Sequence, residues 1–255
     1  MFDDARTTRR KLLGGSAVAL STSLAGCGSV LGGESAATPA SGGTPTPGAD
    51  DGTAANYHAV SETAYGIDLT STPVLGSADA DVDVLYWSDY QCPFCEEFET
   101  ETFPKLLANE IATGRVRLLF FQFPNIGSAS TGAAMLARAV WHQVRDDSPG
   151  RFGAWHEAVF EHQERPNSGW ADYGALVELT REVDGVDATA VDEYARANQG
   201  ALKSRVEAEQ RLGSEEGISG TPGFVLYETS GDGRTKLMGA QPYPRFETAI
   251  ERLTG

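Results

Sequence analysis

Two cysteines that flank a Pro-Phe pair are the side chains of this sequence with the clearest chemical potential. Cys92 and Cys95 form a Cys-x-x-Cys pair, and the only other cysteine is Cys27. If lipid attachment consumes Cys27, no cysteine remains for a structural disulfide. In an exported protein, a single vicinal pair is more typical of redox chemistry than of structural bracing. We therefore predict that Cys92 and Cys95 form a redox-active disulfide.

The sequence around this pair predicts a strand that ends just before it and a helix that begins at it. Residues 82–87 are apolar and rich in strand-forming side chains. An acidic stretch follows, which suits the first turns of a helix, and Pro104 should kink that helix. Cys92 then lies at the helix N-terminus, where unpaired N–H groups and the helix dipole stabilise a thiolate, the form that attacks a disulfide. Cys95, one turn later, is predicted to be the more buried, resolving thiol.

The rest of the chain predicts an α/β fold that is interrupted by helices. Further strands are predicted at 115–123, 224–227 and 235–238, and a last helix at 244–253. Between them, helical spacing predicts five helices, at 130–144, 151–163, 173–183, 189–197 and 200–212. The expected fold class is thus a sheet with a helical insertion at about 128–212.

A Cys-x-x-Cys pair also begins many zinc sites, which need two further ligands. The four histidines lack tight ligand spacing, and the sequence has no second cysteine pair. We predict no structural zinc, and we interpret His156 and His162 as packing or surface residues. Two thiolates can still bind a soft metal such as Cu(I), so a metal-binding or metal-delivery protein is an alternative.

The charge balance excludes two classes of partner. The 255 residues carry 36 acidic and 20 basic side chains, which gives a formal net charge of −16. Sequence-independent binding to nucleic acid or to anionic lipid requires clustered lysine and arginine, so we expect neither. The balance is similar to that of halophilic proteins from salt-loving archaea, in which high salt screens the repulsion between acidic groups.

The N-terminal residues resemble an export signal with a lipid-attachment site. Arg9 and Arg10 precede a mildly apolar run, as in twin-arginine signals, and the run ends in a lipobox-like Leu-Ala-Gly before Cys27. We predict a signal peptide at 1–26 and lipidation of Cys27. Residues 27–55 are rich in Gly, Ser, Thr and Pro and are predicted to be a disordered linker. The folded domain is predicted at 65–255.

Four separated motifs resemble the DsbA-like branch of the thioredoxin superfamily. They are Trp-Ser-Asp-Tyr-Gln-Cys-Pro-Phe-Cys at 87–95, Trp-His-Glu-Ala-Val-Phe at 155–160, Gly-Ile-Ser-Gly-Thr-Pro-Gly-Phe at 217–224 and Gly-Ala-Gln-Pro-Tyr at 239–243. The resemblance covers about residues 65–253. It implies a thioredoxin-like mixed sheet with an inserted helical domain, and chemistry that needs no organic cofactor.

The resemblance also implies how the active-site loop is built. Pro222 would form a cis peptide bond and face Cys92, while Thr221 would present backbone groups to a bound peptide. Pro93, Phe94 and the Thr221–Pro222 loop would shape the face that receives a substrate.

The sequence departs from the family pattern at two positions. Many relatives have a buried acid where this chain has Tyr86, so Asp89 and Glu99 are candidates for a substitute proton relay. The most oxidising relatives have histidine where this chain has Phe94. We expect Glu96 and Glu97 to raise the pKa of the Cys92 thiol by repulsion, and we expect a reduction potential of about −180 to −230 mV.

Together these features predict an extracytoplasmic thiol-disulfide oxidoreductase, anchored to the outer face of the cell membrane by the lipid on Cys27. Its expected partners are exported proteins with thiols or disulfides and a redox partner that the sequence does not identify. The alternatives are a reductase of the same fold, the metal-delivery protein above, and a non-enzymatic chaperone or docking domain.

Overall fold

A six-stranded mixed sheet lies at the centre of the computed structural model, which describes residues 56–255. Strand β5 (Val82–Ser88) is buried at every position. It pairs in parallel with β6 (Val116–Gln122) and antiparallel with β7 (Gly223–Glu228). Strand β8 (Arg234–Met238) extends the sheet beyond β7, and β4 (Val74–Gly76) pairs with the other side of β6. The sequences of β5, β6 and β7 are nearly continuous apolar runs because both faces of these strands are covered.

Helices cover the sheet and form one long insertion. Five of them lie between β6 and β7: α3 (Ser130–Val144), α4 (Gly150–Glu161), α5 (Tyr173–Glu182), α6 (Ala188–Ala197) and α7 (Gln199–Glu215). The C-terminal helix α8 (Tyr243–Thr254) follows β8. Asp187 caps α6 by accepting the N–H groups of Thr189 and Ala190. The predicted fold class, a mixed sheet interrupted by a helical insertion, is confirmed.

The helix that begins after Cys92 is irregular. It comprises α1 (Pro93–Glu97), a π-helical segment (Phe98–Thr102), α2 (Phe103–Leu106) and a second π-helical segment (Leu107–Ile111). The Phe103 N–H donates to the Phe98 carbonyl, five residues earlier. Proline cannot follow a regular helical turn without losing a hydrogen bond and crowding a preceding carbonyl. The distortion predicted at Pro104 is therefore taken up by a widened turn just before it.

The sheet begins earlier than the predicted domain start at residue 65. Strand β1 (Tyr57–His58) pairs with β4, and the Tyr57 side chain is buried. A short hairpin of β2 (Thr63–Ala64) and β3 (Ile67–Asp68) follows. These strands have two or three residues each, which is too short for an alternating pattern to predict them.

Alternate residues of β5 pack into two apolar cores, one on each face of the sheet. Val84 and Tyr86 belong to the larger core, while Leu85 and Trp87 belong to the smaller. In the larger core, the Tyr86 ring stacks on Phe224 with centroids 4.9 Å apart. This packing holds the strand end, and hence the residues that follow it, in a fixed position.

Three predictions concern the N-terminal segment, which lies outside the described residues. They are the signal peptide at 1–26, lipidation of Cys27 and the linker at 27–55. Within residues 56–255, no helix has the length and apolar character needed to cross a membrane.

Candidate active site

Cys92 and Cys95 lie where β5 ends and the following helix begins. Cys92 is the N-cap residue of α1, and its carbonyl accepts the N–H of Cys95 at 2.9 Å. Pro93 occupies the first helical position, where its fixed φ and missing N–H are compatible with a helix start. Both cysteines are reduced and buried, whereas Phe94 between them is 60% exposed. The helix start therefore presents an apolar ring to solvent beside a covered thiol.

A second loop covers the Cys92 thiol. The Thr221–Pro222 peptide bond is cis, and the Cys92 Sγ lies 3.2 Å from the Thr221 carbonyl oxygen, to which it donates when it is protonated. Gly223, the next residue, begins β7 and pairs with Trp87 on β5. The sheet thus brings two segments that are 129 residues apart in sequence into hydrogen-bonding contact at the cysteine pair.

Hydrogen bonds lower the pKa of the Cys92 thiol to about 6. The largest contribution is the hydrogen bond from the Cys95 side chain, and further ones come from Thr221 and from the Cys95 and Phe94 backbone; partial burial opposes them. The decrease agrees with the thiolate stabilisation predicted for a helix start, whereas the increase predicted from Glu96 and Glu97 was wrong. Hydrogen bonds to the sulfur dominate, whereas the carboxylates of the exposed Glu97 and the half-buried Glu96 reach water, which screens their charge.

The pKa of the Cys95 thiol is shifted in the opposite direction. Burial raises the pKa of its thiol well above the ordinary value, and the neighbouring Cys92 sulfur raises it further. Near neutral pH the pair therefore holds one thiolate, at Cys92, and one protonated thiol, at Cys95. This division matches an attacking and a resolving thiol.

The low pKa predicts how alkylation of Cys92 depends on pH. Only the thiolate reacts, so the iodoacetamide rate should rise with pH and be half-maximal near pH 6, while an unfolded cysteine titrates near 8.5. The measurement is mass spectrometry of the intact pair against the Cys95→Ala protein, which lacks the largest donor and should titrate above pH 6. Identical midpoints near 8.5 in both proteins would contradict the assignment.

A buried chain of hydrogen bonds lies behind the cysteines. Glu99, one turn after Cys95, accepts the Tyr86 hydroxyl at 2.9 Å and contacts His156 Nε2 at 3.0 Å. The other ring nitrogen, Nδ1, lies 2.9 Å from the Tyr90 hydroxyl. A neutral His156 imidazole makes both of these hydrogen bonds when its Nε2–H donates to Glu99 and its Nδ1 accepts from the Tyr90 hydroxyl.

An apolar cavity of about 240 Å³ opens next to this chain. Both Glu99 and His156 line it, together with Phe103 and Phe160 and with the carboxylates Glu157 and Glu161. Burial is the main cause that raises the pKa of Glu157, with repulsion from Glu161 second. Because the cavity is several times larger than one water requires, it can connect the Glu99 carboxyl to solvent.

The two aspartates near the pair in sequence have other partners. Asp89 accepts three backbone N–H groups, from Gln91, Asn125 and Ile126, at 2.8 to 2.9 Å. Asp83 is paired with Arg117 and accepts the Tyr65 hydroxyl. Of the acids considered for a proton relay, Glu99 is the one that the structure joins to Tyr86, the position of the family's acid.

His156 is the site residue that the sequence analysis missed. The sequence predicts a packing or surface residue, but His156 is buried and forms hydrogen bonds with Glu99 and Tyr90. Its position inside the Trp-His-Glu-Ala-Val-Phe motif was the available signal. Helical spacing alone cannot assign its partners, because they lie 57 and 66 residues away in the chain.

No cluster of three or more His, Cys, Asp or Glu side chains that could hold a metal ion occurs in the part of the chain that the structure describes. Cys92 and Cys95 can supply two thiolates to a metal. The rest of such a coordination shell would have to come from elsewhere.

A reactive cysteine pair at a helix start, covered by a cis-proline loop on a mixed sheet, defines a thiol-disulfide oxidoreductase with a thioredoxin fold. The sequence model of the family described as Thioredoxin matches residues 68–251, and the chain belongs to this family.

Individual relatives agree with this classification. Disulfide bond formation protein D from Bacillus subtilis is 31% identical over 154 residues, which are 60% of this chain and 67% of the relative. The crystal structure of oxidised BdbD from Bacillus subtilis superposes with a TM-score of 0.63 at 28% identity, over 78% of this chain and 100% of that chain. Chlamydia trachomatis DsbA has a TM-score of 0.62 at 18% identity, over 76% and 95% of the two chains, which shows similarity of fold alone.

Proposed function

We propose that this oxidoreductase acts outside the cytoplasm and exchanges disulfides with exported proteins through its Cys-Pro-Phe-Cys site. The observation that carries the proposal is the pairing of a low-pKa thiol at Cys92 with a protonated, buried thiol at Cys95. The exported location is supported by the twin-arginine and lipobox-like sequences that end at Cys27.

In the direction of substrate oxidation, a substrate thiolate attacks the Cys92 sulfur of the Cys92–Cys95 disulfide. The bond between the two cysteines breaks, and Cys95 leaves as a thiolate that takes up a proton. A second substrate thiolate then attacks the substrate sulfur of the mixed disulfide, and Cys92 leaves as a thiolate. Two electrons pass from the substrate to the pair, so a separate oxidant must remove them before the next cycle.

The low pKa of Cys92 favours this direction. A stable thiolate is a good leaving group, and it stabilises the reduced protein relative to the disulfide. The exposed Phe94 ring and the backbone of Thr221 lie beside the sulfur and can contact an unfolded substrate. No organic cofactor is required, because the cysteines themselves carry the electrons.

The direction of electron flow can be tested by the equilibrium reduction potential of the pair, titrated with glutathione in high salt. We expect about −180 to −230 mV, more oxidising than thioredoxin at about −270 mV. A value at or below that of thioredoxin would instead favour the reductase. Failure to form the disulfide reversibly, together with stoichiometric Cu(I) binding, would favour the metal-delivery alternative.

We further propose that Glu99 accepts and returns the proton of Cys95. Glu99 follows Cys95 by one turn and is joined to Tyr86, whose own pKa is raised by burial and then by Glu99 and Cys95. The adjoining cavity supplies a route for the proton to solvent. His156 acts on this step as a positioning residue, because it touches the carboxylate and not the sulfur.

Replacing Glu99 by glutamine should slow resolution of the mixed disulfide by about 100-fold near pH 7, because general-base assistance typically contributes 10²–10⁴-fold. The initial attack by Cys92 should be nearly unchanged, and stopped-flow kinetics with oxidised glutathione separate the two steps. The matched control is Glu101→Gln on the same helix, where the carboxylate is exposed. An equal loss in both variants, or an equal loss in both steps, would exclude the relay.

A further inference from the structure

A small cavity lined by arginines lies in the helical insertion, on residues that the redox site does not use. It has a volume of about 100 Å³ and is bordered by α3, α7, the last part of α6 and the loop before β4. Its lining includes Arg138, Arg145 and Arg205 together with Trp141, His142 and Ser71. Among the described residues that line it, none is a carboxylate. The cavity thus brings three guanidinium groups together in a chain with a net charge of −16.

Several N–H groups at this cavity have no partner. The Arg138 and Trp141 side chains are each about 1% exposed. Arg138 donates from Nη2 to the Phe120 carbonyl and to Glu209, but its buried Nε and Nη1 are unpaired. The indole Nε1 of Trp141 and the Nε of Arg145 are also buried without a hydrogen-bond acceptor. Buried polar groups are nearly always satisfied by protein or by water, so these donors indicate that an acceptor, either water or an anion, occupies the cavity.

The buried charges at this cavity also do not balance, although two exposed carboxylates lie near it: Asp68 interacts with Arg205, and Asp146 Oδ1 lies 3.7 Å from Arg145 Nε. Glu209 is the buried carboxylate here; one oxygen pairs with Arg138 and the other with Arg205. Arg145 donates to the Thr70 carbonyl, and its nearest acid, Asp146, is 3.7 Å away and 77% exposed. Arg205 also donates to the Asp68 carbonyl and the Thr72 hydroxyl, neither of which carries charge. Three guanidinium groups therefore face one buried carboxylate.

We propose that this cavity binds a small inorganic anion, of the size and charge of chloride. The anion would accept N–H groups from Arg138, Trp141 and Arg145 and would neutralise part of the repulsion among the three arginines. The volume is several times the roughly 10–15 Å³ that one water needs, so a chloride with a water fits, whereas an extended organic carboxylate does not. The ligand would join α3 to α7 and stabilise the helical insertion.

The direct test is ³⁵Cl NMR line broadening with the purified protein in sodium chloride. We expect excess broadening in the wild type that bromide competes away, and a loss of at least about tenfold in Trp141→Phe and in Arg145→Gln. The matched control is Arg196→Gln, which removes one positive charge from an exposed side chain and should retain the broadening. Equal broadening in all variants would show non-specific ion contact and overturn the proposal.

Thermal unfolding in the wild type provides a measurement that needs no variant. A ligand that binds only the folded state raises the Tm with ligand concentration. At constant ionic strength, replacing gluconate by chloride should raise the Tm with a saturable dependence. An identical Tm in both salts would mean that only water fills the cavity, and a larger, Trp141-dependent increase with sulfate would replace the chloride assignment by an oxyanion.

Discussion

Replacing Cys92 by serine is expected to abolish disulfide exchange, with a loss of at least about 1,000-fold in rate. Serine cannot form the disulfide with Cys95 that accepts electrons from the substrate, and its hydroxyl stays protonated at neutral pH, whereas the pKa of the Cys92 thiol is about 6. The measurement is the rate of oxidative refolding of a reduced, unfolded substrate protein. Cys27→Ser is the matched control, because it removes the third cysteine and should leave the rate unchanged.

Cys95→Ser should give a different outcome at the same site. Cys92 can still attack a substrate disulfide, but no buried thiol is present to break the resulting bond. We expect a mixed disulfide between Cys92 and the substrate to accumulate, visible on a non-reducing gel and reversed by dithiothreitol. Residual exchange in Cys92→Ser equal to that in the wild type would instead favour a docking or chaperone function that does not use thiol chemistry.

The second large effect is expected at Glu209, on stability. This buried carboxylate pairs with Arg138 and Arg205 and accepts the Gln122 N–H at 2.8 Å. Removing its charge leaves two guanidinium groups without their anion, and breaking a buried pair from one side typically costs about 3–5 kcal/mol. We therefore expect Glu209→Gln to lower the free energy of unfolding by that amount.

The control for this prediction lies on the same helix. Glu207 pairs with Lys203 four residues earlier, and both side chains are more than half exposed. An exposed pair contributes about 0–1 kcal/mol, so Glu207→Gln should have little effect. Denaturant unfolding in one redox state compares the two variants through their midpoints. A loss below about 1 kcal/mol in both would show that the Glu209 pairs do not stabilise the fold.

The sequence determined the elements that carry the cysteines. The strand at 82–87, the helix start at Cys92 and the helix at 130–144 agree with β5, α1 and α3 within a residue or two. These features depend on periodicity and on helix-start residues, which act over a few neighbours. The same reasoning gave the order of strands and helices from residue 82 onward, and hence the fold class, but not the four short strands that precede residue 82. The signal, lipidation and linker at the N-terminus remain predictions from the sequence.

The tertiary structure decided which side chains meet. Local sequence suggested that neighbouring glutamates set the Cys92 pKa, but direct hydrogen bonds from Cys95 and the loop at Thr221 have the larger effect. The local sequence could not predict the contact of His156 with Glu99 or of Arg138 with Glu209. Packing between elements that are far apart in the chain brings each pair together. The spacing of apolar and helix-start residues depends only on near neighbours in the sequence. A site depends on side-chain contacts that form only when the sheet and the helical insertion pack against each other.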